Sequence, residues 1–297
     1  MTWITITLLA ALAQTLRFAV QRRLRLSMLS SAGATFARFL YAGPLIVAIA
    51  VGYWVVVGHP TISHAPVFWV YIAVGGATQI LATICLITLF TLRHFTVGVT
   101  LSNTQVLMTA AIGAIVLGDH VSRWALGALL LGMVGVWLLS KTSGGFTRHA
   151  IWNRATGLGL MAGLCFAICA VAFRGAALAI DTSDTFLRAS QALMWAILVQ
   201  SAMMICYLLW REPGQIWAVC RAWPVAIWVG LLSLIGSMGW FVAFALQNAA
   251  YVKALGQVEI LFSLCVSYVI FGERLTRREG WGVFALTSGV ILLVLVV

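Results

Sequence analysis

One acid stands apart from the other six in this 297-residue chain. Glu259 lies in 251-YVKALGQVEILFSLCVSYVIFGERLT-276, where nearly everything between Lys253 and Gly272 is apolar or small. Asp119, Glu273 and Glu279 fall in turns or at helix caps, and Asp181, Asp184 and Glu212 fall near the ends of apolar runs. A carboxylate at mid-bilayer costs about 2.5–3.5 kcal/mol even on lenient insertion scales, so it faces a cavity or a partner. Two readings follow. In one, Glu259 lines a central cavity and binds a cationic group or a proton. In the other, it pairs permanently with an arginine and pins helices together. Arg17, Arg38, Arg174 and Arg188, all within or at the ends of apolar runs, are available for that pairing.

Other polar residues interrupt the apolar runs. Asn103 and Gln105 match Gln257 and Glu259 in spacing. Members two apart on a helix point about 200° away from each other. If Gln105 and Glu259 line a cavity, Asn103 and Gln257 turn to neighbouring helices. Gln79 and Thr83 are four apart and share a face, suited to pore lining or to interhelical hydrogen bonding. Gln14, Arg17 and Phe18 form a stripe, in which Arg17 is a gate or a snorkelling end residue. Lys253 opens the ninth apolar run and snorkels. Trp240, deep in its run beside Phe241 and Phe244, stacks on a substrate or packs a core. Gly75-Gly76 and Gly236 with Gly239 are candidate hinge points.

Metal, catalytic and cofactor chemistry finds little footing. The five histidines lie in loops or at run ends, and the six cysteines lie mostly inside apolar runs, where they read as small fillers. No nucleotide-binding motif occurs, so no direct ATP coupling is expected within the chain, and no cofactor, metal or catalytic residue is assigned. The expectation is a protein that is not an enzyme.

The elements that must hold these residues follow from composition. The chain is 63% hydrophobic and only 8% charged, with a mean hydropathy of +1.05. Soluble domains run near 45–50% apolar and about 25% charged. An all-α integral membrane protein is therefore expected. The N-terminus lacks a basic n-region, so no cleavable signal peptide is expected. A bilayer core of about 30 Å takes about 20 residues of helix. Ten such runs appear, near 2–20, 32–57, 67–90, 96–117, 123–140, 156–178, 184–209, 223–246, 253–271 and 279–297. Thr276 and Glu279 have capping-box spacing for the last. Trp69, Trp124, Trp152, Trp210, Trp217, Trp223 and Trp281 sit near run ends, as an interfacial belt requires.

The two halves repeat. Laid over each other without a gap, 92–139 and 246–293 bring Gly118 onto Gly272, Asp119 onto Glu273, Ser122 onto Thr276, Arg123 onto Arg277 and Gly135 onto Gly289, an offset of 154 residues. Glu259 falls on Gln105. With small shifts, Arg17 pairs with Arg174 and Arg38 with Arg188. The organisation expected is a five-helix unit over 1–140, a connecting loop over 141–155 and a second five-helix unit over 156–297. Five is odd, so the second copy enters the membrane from the opposite side, an inverted repeat of the kind that builds secondary transporters.

The net charge of +11 fits loop charge better than nucleic acid, because the basic residues lie between apolar runs. Loops after the odd-numbered runs carry twelve of them: Arg22, Arg23, Arg25, Arg93, Lys141, Arg148, Arg154, Arg211, Arg221, Arg274, Arg277 and Arg278. The other face has Arg123 and Lys253. The positive-inside rule then places those loops in the cytoplasm and both termini in the periplasm of a bacterial inner membrane.

The segments 90-FTLRHFTVGVTLSNTQVLMTAAIGAIVLGDHVS-122 and 244-FALQNAAYVKALGQVEILFSLCVSYVIFGERLT-276 resemble the two EamA-type repeats of the drug/metabolite transporter superfamily. So do 16-LRFAVQ-21 and 36-FARFLYA-42. The Gly-Glu-Arg-Leu turn of that family stands here as Gly272-Glu273-Arg274-Leu275 and, altered, as Gly118-Asp119-His120-Val121. The family's frequent proline is absent near Glu259 and near Gln105. The resemblance implies ten helices, a pore lined by the first, third, fourth, sixth, eighth and ninth, and transport of small metabolites by alternating access. The second and seventh helices would then be peripheral, which gives Arg38 and Arg188 a structural role. Together these readings predict a secondary transporter for a small polar or amphipathic metabolite: an amino acid, an amine or a related cation or zwitterion. Protons through Glu259, exchange, or the substrate gradient would drive it. Glu259, Gln105, Gln79, Thr83, Gln14 and Trp240 are the expected substrate contacts. The alternative is a flippase for a lipid-linked substrate. The partners expected are the small-molecule substrate and the lipid bilayer, with no nucleic acid, and the protein would function as a monomer or a dimer.

Overall fold

The computed structural model describes residues 2–27, 29–60, 62–89, 92, 101–139, 154–271 and 276–297. Phe90, Arg93, the start of the fourth run, most of the connector with Lys141, Arg148 and Trp152, and the turn Gly272-Glu273-Arg274-Leu275 lie outside the described residues. Helix dominates what is described. In the first half, α1 spans Thr2–Ser27, α2 Ser31–Val56, α3 Val67–Leu89, α4 Gln105–Val116 and α5 Arg123–Leu139. In the second, α6 spans Arg154–Leu178, α7 Thr185–Arg211, α8 Gly214–Arg221, α9 Trp223–Leu246, α10 Ala249–Gly256, α11 Val258–Phe271 and α12 Arg277–Val296. Among the described residues, α1, α2, α3, α6, α7, α9 and α12 are each long and apolar enough to cross a membrane, which makes this a multi-pass membrane protein. Trp124, Trp210, Trp217, Trp223 and Trp281 are all exposed, as residues facing lipid headgroups would be.

Polar side chains start the helices. Ser30 caps α2 by accepting from Gly33 N, and Asp184 caps α7 by accepting from Leu187 N. At α12 the capping box read from sequence is formed, with Thr276 N donating to Glu279 Oε2 at 2.7 Å and Glu279 N to Thr276 Oγ1 at 3.3 Å.

Two short strands, β1 (Ser63–His64) and β2 (Ile180–Asp181), pair antiparallel and join the α2–α3 loop to the end of α6. With the α4–α5 turn they mark one end of the bundle, the strand end. The turns after α1 and α7 lie at the other, where Arg22, Arg23, Arg154, Arg211, Arg221, Arg277 and Arg278 gather; this is the basic end.

Small residues let the helices close on one another. A Cβ on Gly135 would stand 2.4 Å from Leu286 N, and one on Gly289 would stand 2.7 Å from Gly132 N, so the backbones of α5 and α12 touch. These two contacts interchange under the 154-residue offset. In the same way α3 packs on α6, and α1 on α9. α3 and α9 run unbroken through the candidate hinge glycines, two of which pack closely: a Cβ on Gly75 would meet Phe173 Cε1 at 2.7 Å, and one on Gly239 would meet Ala10 Cβ at 2.8 Å.

The fourth and ninth apolar runs differ from expectation, for each contains a break. Residues 101–102 are helical, 103–104 turn, and α4 begins at Gln105; α10 and α11 meet at Gln257. Thr104 and Gln257 share the same backbone angles, φ −61° and ψ −12°. The bonds there tighten to i→i+3: Thr104 N to Leu101 O at 3.2 Å and Gln257 N to Ala254 O at 3.1 Å. No proline makes either break. The ninth run also starts earlier than its hydropathy suggests, because Asn248 Oδ1 accepts from Ala250 N and caps α10. Lys253 is thereby carried inside the helix rather than at its mouth.

Candidate functional site

Glu259 occupies the first turn of α11, just past the second break. The partial positive charge of a helix N-terminus favours a carboxylate there. Gln14 of α1 reaches across and donates from Nε2 to Glu259 Oε2 at 2.8 Å. The other end of the same amide accepts from Trp240 Nε1 at 3.1 Å. Trp240, Gln14 and Glu259 thus form one chain of hydrogen bonds through three elements. Trp240 is held from behind by Gly256, where a Cβ would stand 2.4 Å from the indole. Lys253 Nζ lies 5.0 Å from the centre of the Trp240 ring and 5.5 Å from that of Phe166, within cation–π range.

Two adjoining cavities meet at Gln14, Phe166 and Lys253. The larger, about 170 Å³, is lined by Glu259, Gln105, Asn103 and Ser102 with Phe18 and Leu86. Phe18 and Leu86 lie nearer the basic end than Gln14 does, so this cavity runs from Glu259 toward that end. The smaller, about 30 Å³, is lined by Arg17, Arg38, Gln79, Ser233, Ser237 and Trp240 among others. It admits a group about the size of one water.

The arginines depart from the sequence reading. Arg17 does not snorkel: it is buried, donates from Nη1 to Gln21 Oε1 at 2.8 Å and lies over Phe18 at 4.2 Å. Arg38 is not peripheral. It is equally buried, donates from Nε to Ser233 Oγ at 3.1 Å and from Nη2 to Ser237 Oγ at 3.2 Å, and walls the smaller cavity. Its repeat mate Arg188 stays away from the cavities and bonds to Thr182 O. Arg174 pairs with Asp119 at the strand end. Lys253 is an inward residue, not a snorkelling one, for the capping reason given above.

Of the six expected substrate contacts, Gln14, Gln79, Gln105, Trp240 and Glu259 come to the two cavities. Gln79 also accepts from Gln200 Nε2 at 2.7 Å, so it serves helix packing as well. Thr83 is buried, bonds back to Gln79 O at 2.8 Å and lines neither cavity. Asn103 lines the larger cavity together with Gln105, against the helical spacing rule, because the turn at 103–104 lies between them. Gln257 does turn away, with its amide against Gly132 of α5. Reasoning from sequence missed Phe166 and Cys169 of α6 and the pair Ser233–Ser237. The four-residue spacing of those serines on α9 was the available signal.

The strand end is closed by several ties. Arg174 grips Asp119 and also donates from Nη1 to the carbonyls of Phe244 and Gln247 at 2.8 and 2.6 Å. Tyr53 donates to Asp184 Oδ2 at 2.7 Å, and the β1–β2 pair crosses between the halves. At the basic end, Ser30 bonds to Glu212 and accepts a place beside Gln215, whose Oε1 receives Ser30 N at 2.9 Å.

No family model and no curated protein matches the chain. Among solved structures, one described only as "Crystal structure of protein" superposes with a TM-score of 0.76 at 15% sequence identity, over 99% of this chain and 96% of its own. The likeness is one of fold, and it spans the whole helical bundle.

Proposed function

We propose that this protein is a secondary transporter that moves a small polar metabolite across a bacterial inner membrane by alternating access between two inverted five-helix repeats of the EamA kind. The carrying observation is the Trp240–Gln14–Glu259 chain at a cavity wall, beside breaks that fall at matched positions in both halves. Broken helices at mid-membrane are where carriers bind substrate and coupling ion. The reciprocal contacts Gly135–Leu286 and Gly289–Gly132 support a two-fold relation between the halves. The ties at the strand end, with a cavity that runs toward the basic end, fit one of the two end states of such a cycle. The cavity of about 170 Å³ suits a metabolite rather than a lipid-linked head group, since drug-sized ligands already need roughly 300–1,000 Å³.

Glu259 is the coupling residue in this reading: it exchanges a proton as the cavity faces one side and then the other. The experiment is proton flux into proteoliposomes containing purified protein, driven by a cargo gradient. Glu259→Gln keeps the bond partner for Gln14 but removes the titrating group, so flux of protons should stop while the protein stays folded. Undiminished proton-coupled transport in that variant overturns the assignment.

A further inference from the structure

Charge within the two cavities does not balance. Among the described lining residues, Arg17, Arg38 and Lys253 face a single carboxylate, Glu259. Arg17 and Arg38 are each only 4% exposed. The bonds seen for them go to a glutamine oxygen and two serine hydroxyls. These neutral acceptors take some of the guanidinium hydrogens but bring no counter-charge, and two buried cations on one small cavity repel each other. Lys253 rests on aromatic rings in the same cavity that Glu259 lines, and the one carboxylate acts on both Lys253 and Arg17, leaving Arg38 without it. A cargo that enters with negative charge meets a site already desolvated and organised for it.

From the sequence alone, Glu259 pointed to a cationic or zwitterionic cargo. We propose instead that the cargo is a small organic acid, its carboxylate seated between Arg17 and Arg38 and the rest of the molecule in the larger cavity beside Glu259. This rests on the carrier reading above and names its substrate class. The planar guanidinium fork matches a carboxylate. The smaller cavity, about 30 Å³, has room for one oxygen of such a carboxylate, with the rest of the group at its junction with the larger cavity. Gln105 Oε1 is buried on the larger cavity with no bond partner among the described residues, so a hydroxyl or amino donor on the cargo is matched there. A hydroxycarboxylate has both features.

The test is thermal unfolding of the purified full chain with short mono-, di- and hydroxycarboxylates, L-malate among them, against putrescine and against sodium chloride at equal ionic strength. A bound ligand raises the midpoint with the logarithm of its concentration. At least one carboxylate should raise it saturably, and putrescine should not. The rise should vanish in Arg38→Gln and Arg17→Gln, weaken in Arg38→Lys, which keeps the charge without the fork, and persist in Arg188→Gln. Stabilisation by putrescine alone, by no carboxylate, or to an undiminished degree in both Gln variants overturns the proposal. Vesicle uptake separates it from the carrier reading. Uptake of the diamine and of no carboxylate removes the acid and keeps the carrier. A carboxylate that binds through Arg38 but never crosses the bilayer keeps the acid site and removes the carrier.

Discussion

Arg174 of α6 grips Asp119, on the turn after α4, through two bonds: Nε to Oδ2 at 2.7 Å and Nη2 to Oδ1 at 3.0 Å. Its remaining nitrogen holds two backbone carbonyls at the end of α9. One side chain therefore fastens three elements at the strand end. Arg174→Gln leaves the carboxylate and both carbonyls short of donors, and should lower stability by about 1.5–3 kcal/mol, the range for hydrogen bonds to charged groups. It should also admit a membrane-impermeant thiol reagent to a cysteine placed at Phe173, which is buried in the intact protein. Unchanged labelling would mean that the clasp does not close this end.

The α5–α12 contact predicts paired effects. Gly135→Ala and Gly289→Ala each force a methyl against the opposite backbone. Each should cost about 1–3 kcal/mol, as overpacking does. Because the helices would part once for both, the double variant should cost less than the sum. Unfolding midpoints of the three variants measure this, and simple additivity would argue against a shared seam.

Gly256→Ala should damage the site without touching a polar group. The added methyl displaces the Trp240 ring, which lifts Nε1 from Gln14 and loosens the hold on Glu259. Transport should fall at least as far as in Trp240→Phe, which loses the same bond but keeps the ring. Wild-type transport in Gly256→Ala would show that the chain of bonds is not needed.

Asp184 offers a test outside the membrane core. Burial pushes its carboxyl up, but bonds from Leu187 N–H, the Tyr53 hydroxyl and Phe186 N–H outweigh this and hold it below the ordinary carboxylate value. A depressed folded-state pKa means that its stabilisation is present above the unfolded value of about 3.9 and is lost as pH falls through the folded one. Asp184→Ala should cost about 0.5–2 kcal/mol near neutral pH. That difference from wild type should shrink in acid, and a gap that instead widens would contradict the sign.

Much of this architecture is legible in the residues. Hydropathy marks the long spans, Thr276 with Glu279 marks the start of α12, and the isolation of Glu259 among apolar neighbours points to the cavity. What escaped has definite physical causes. Hydropathy cannot see that Asn248 caps a helix four residues before the apolar run begins, so Lys253 looked like a rim residue. Helical spacing assumes a continuous helix, so the turn at 103–104 hid the alliance of Asn103 with Gln105. The inward course of Arg38 depends on Ser233 and Ser237, nearly two hundred residues away, and no local pattern carries it.

The absence of proline at the two breaks has a mechanical consequence. The amide of Gln257 keeps its proton, so the bond it makes to Ala254 O needs no replacement by solvent or side chain. That joint is therefore a tightened turn rather than a notch, and it redirects Glu259 without leaving a peptide hydrogen unbonded.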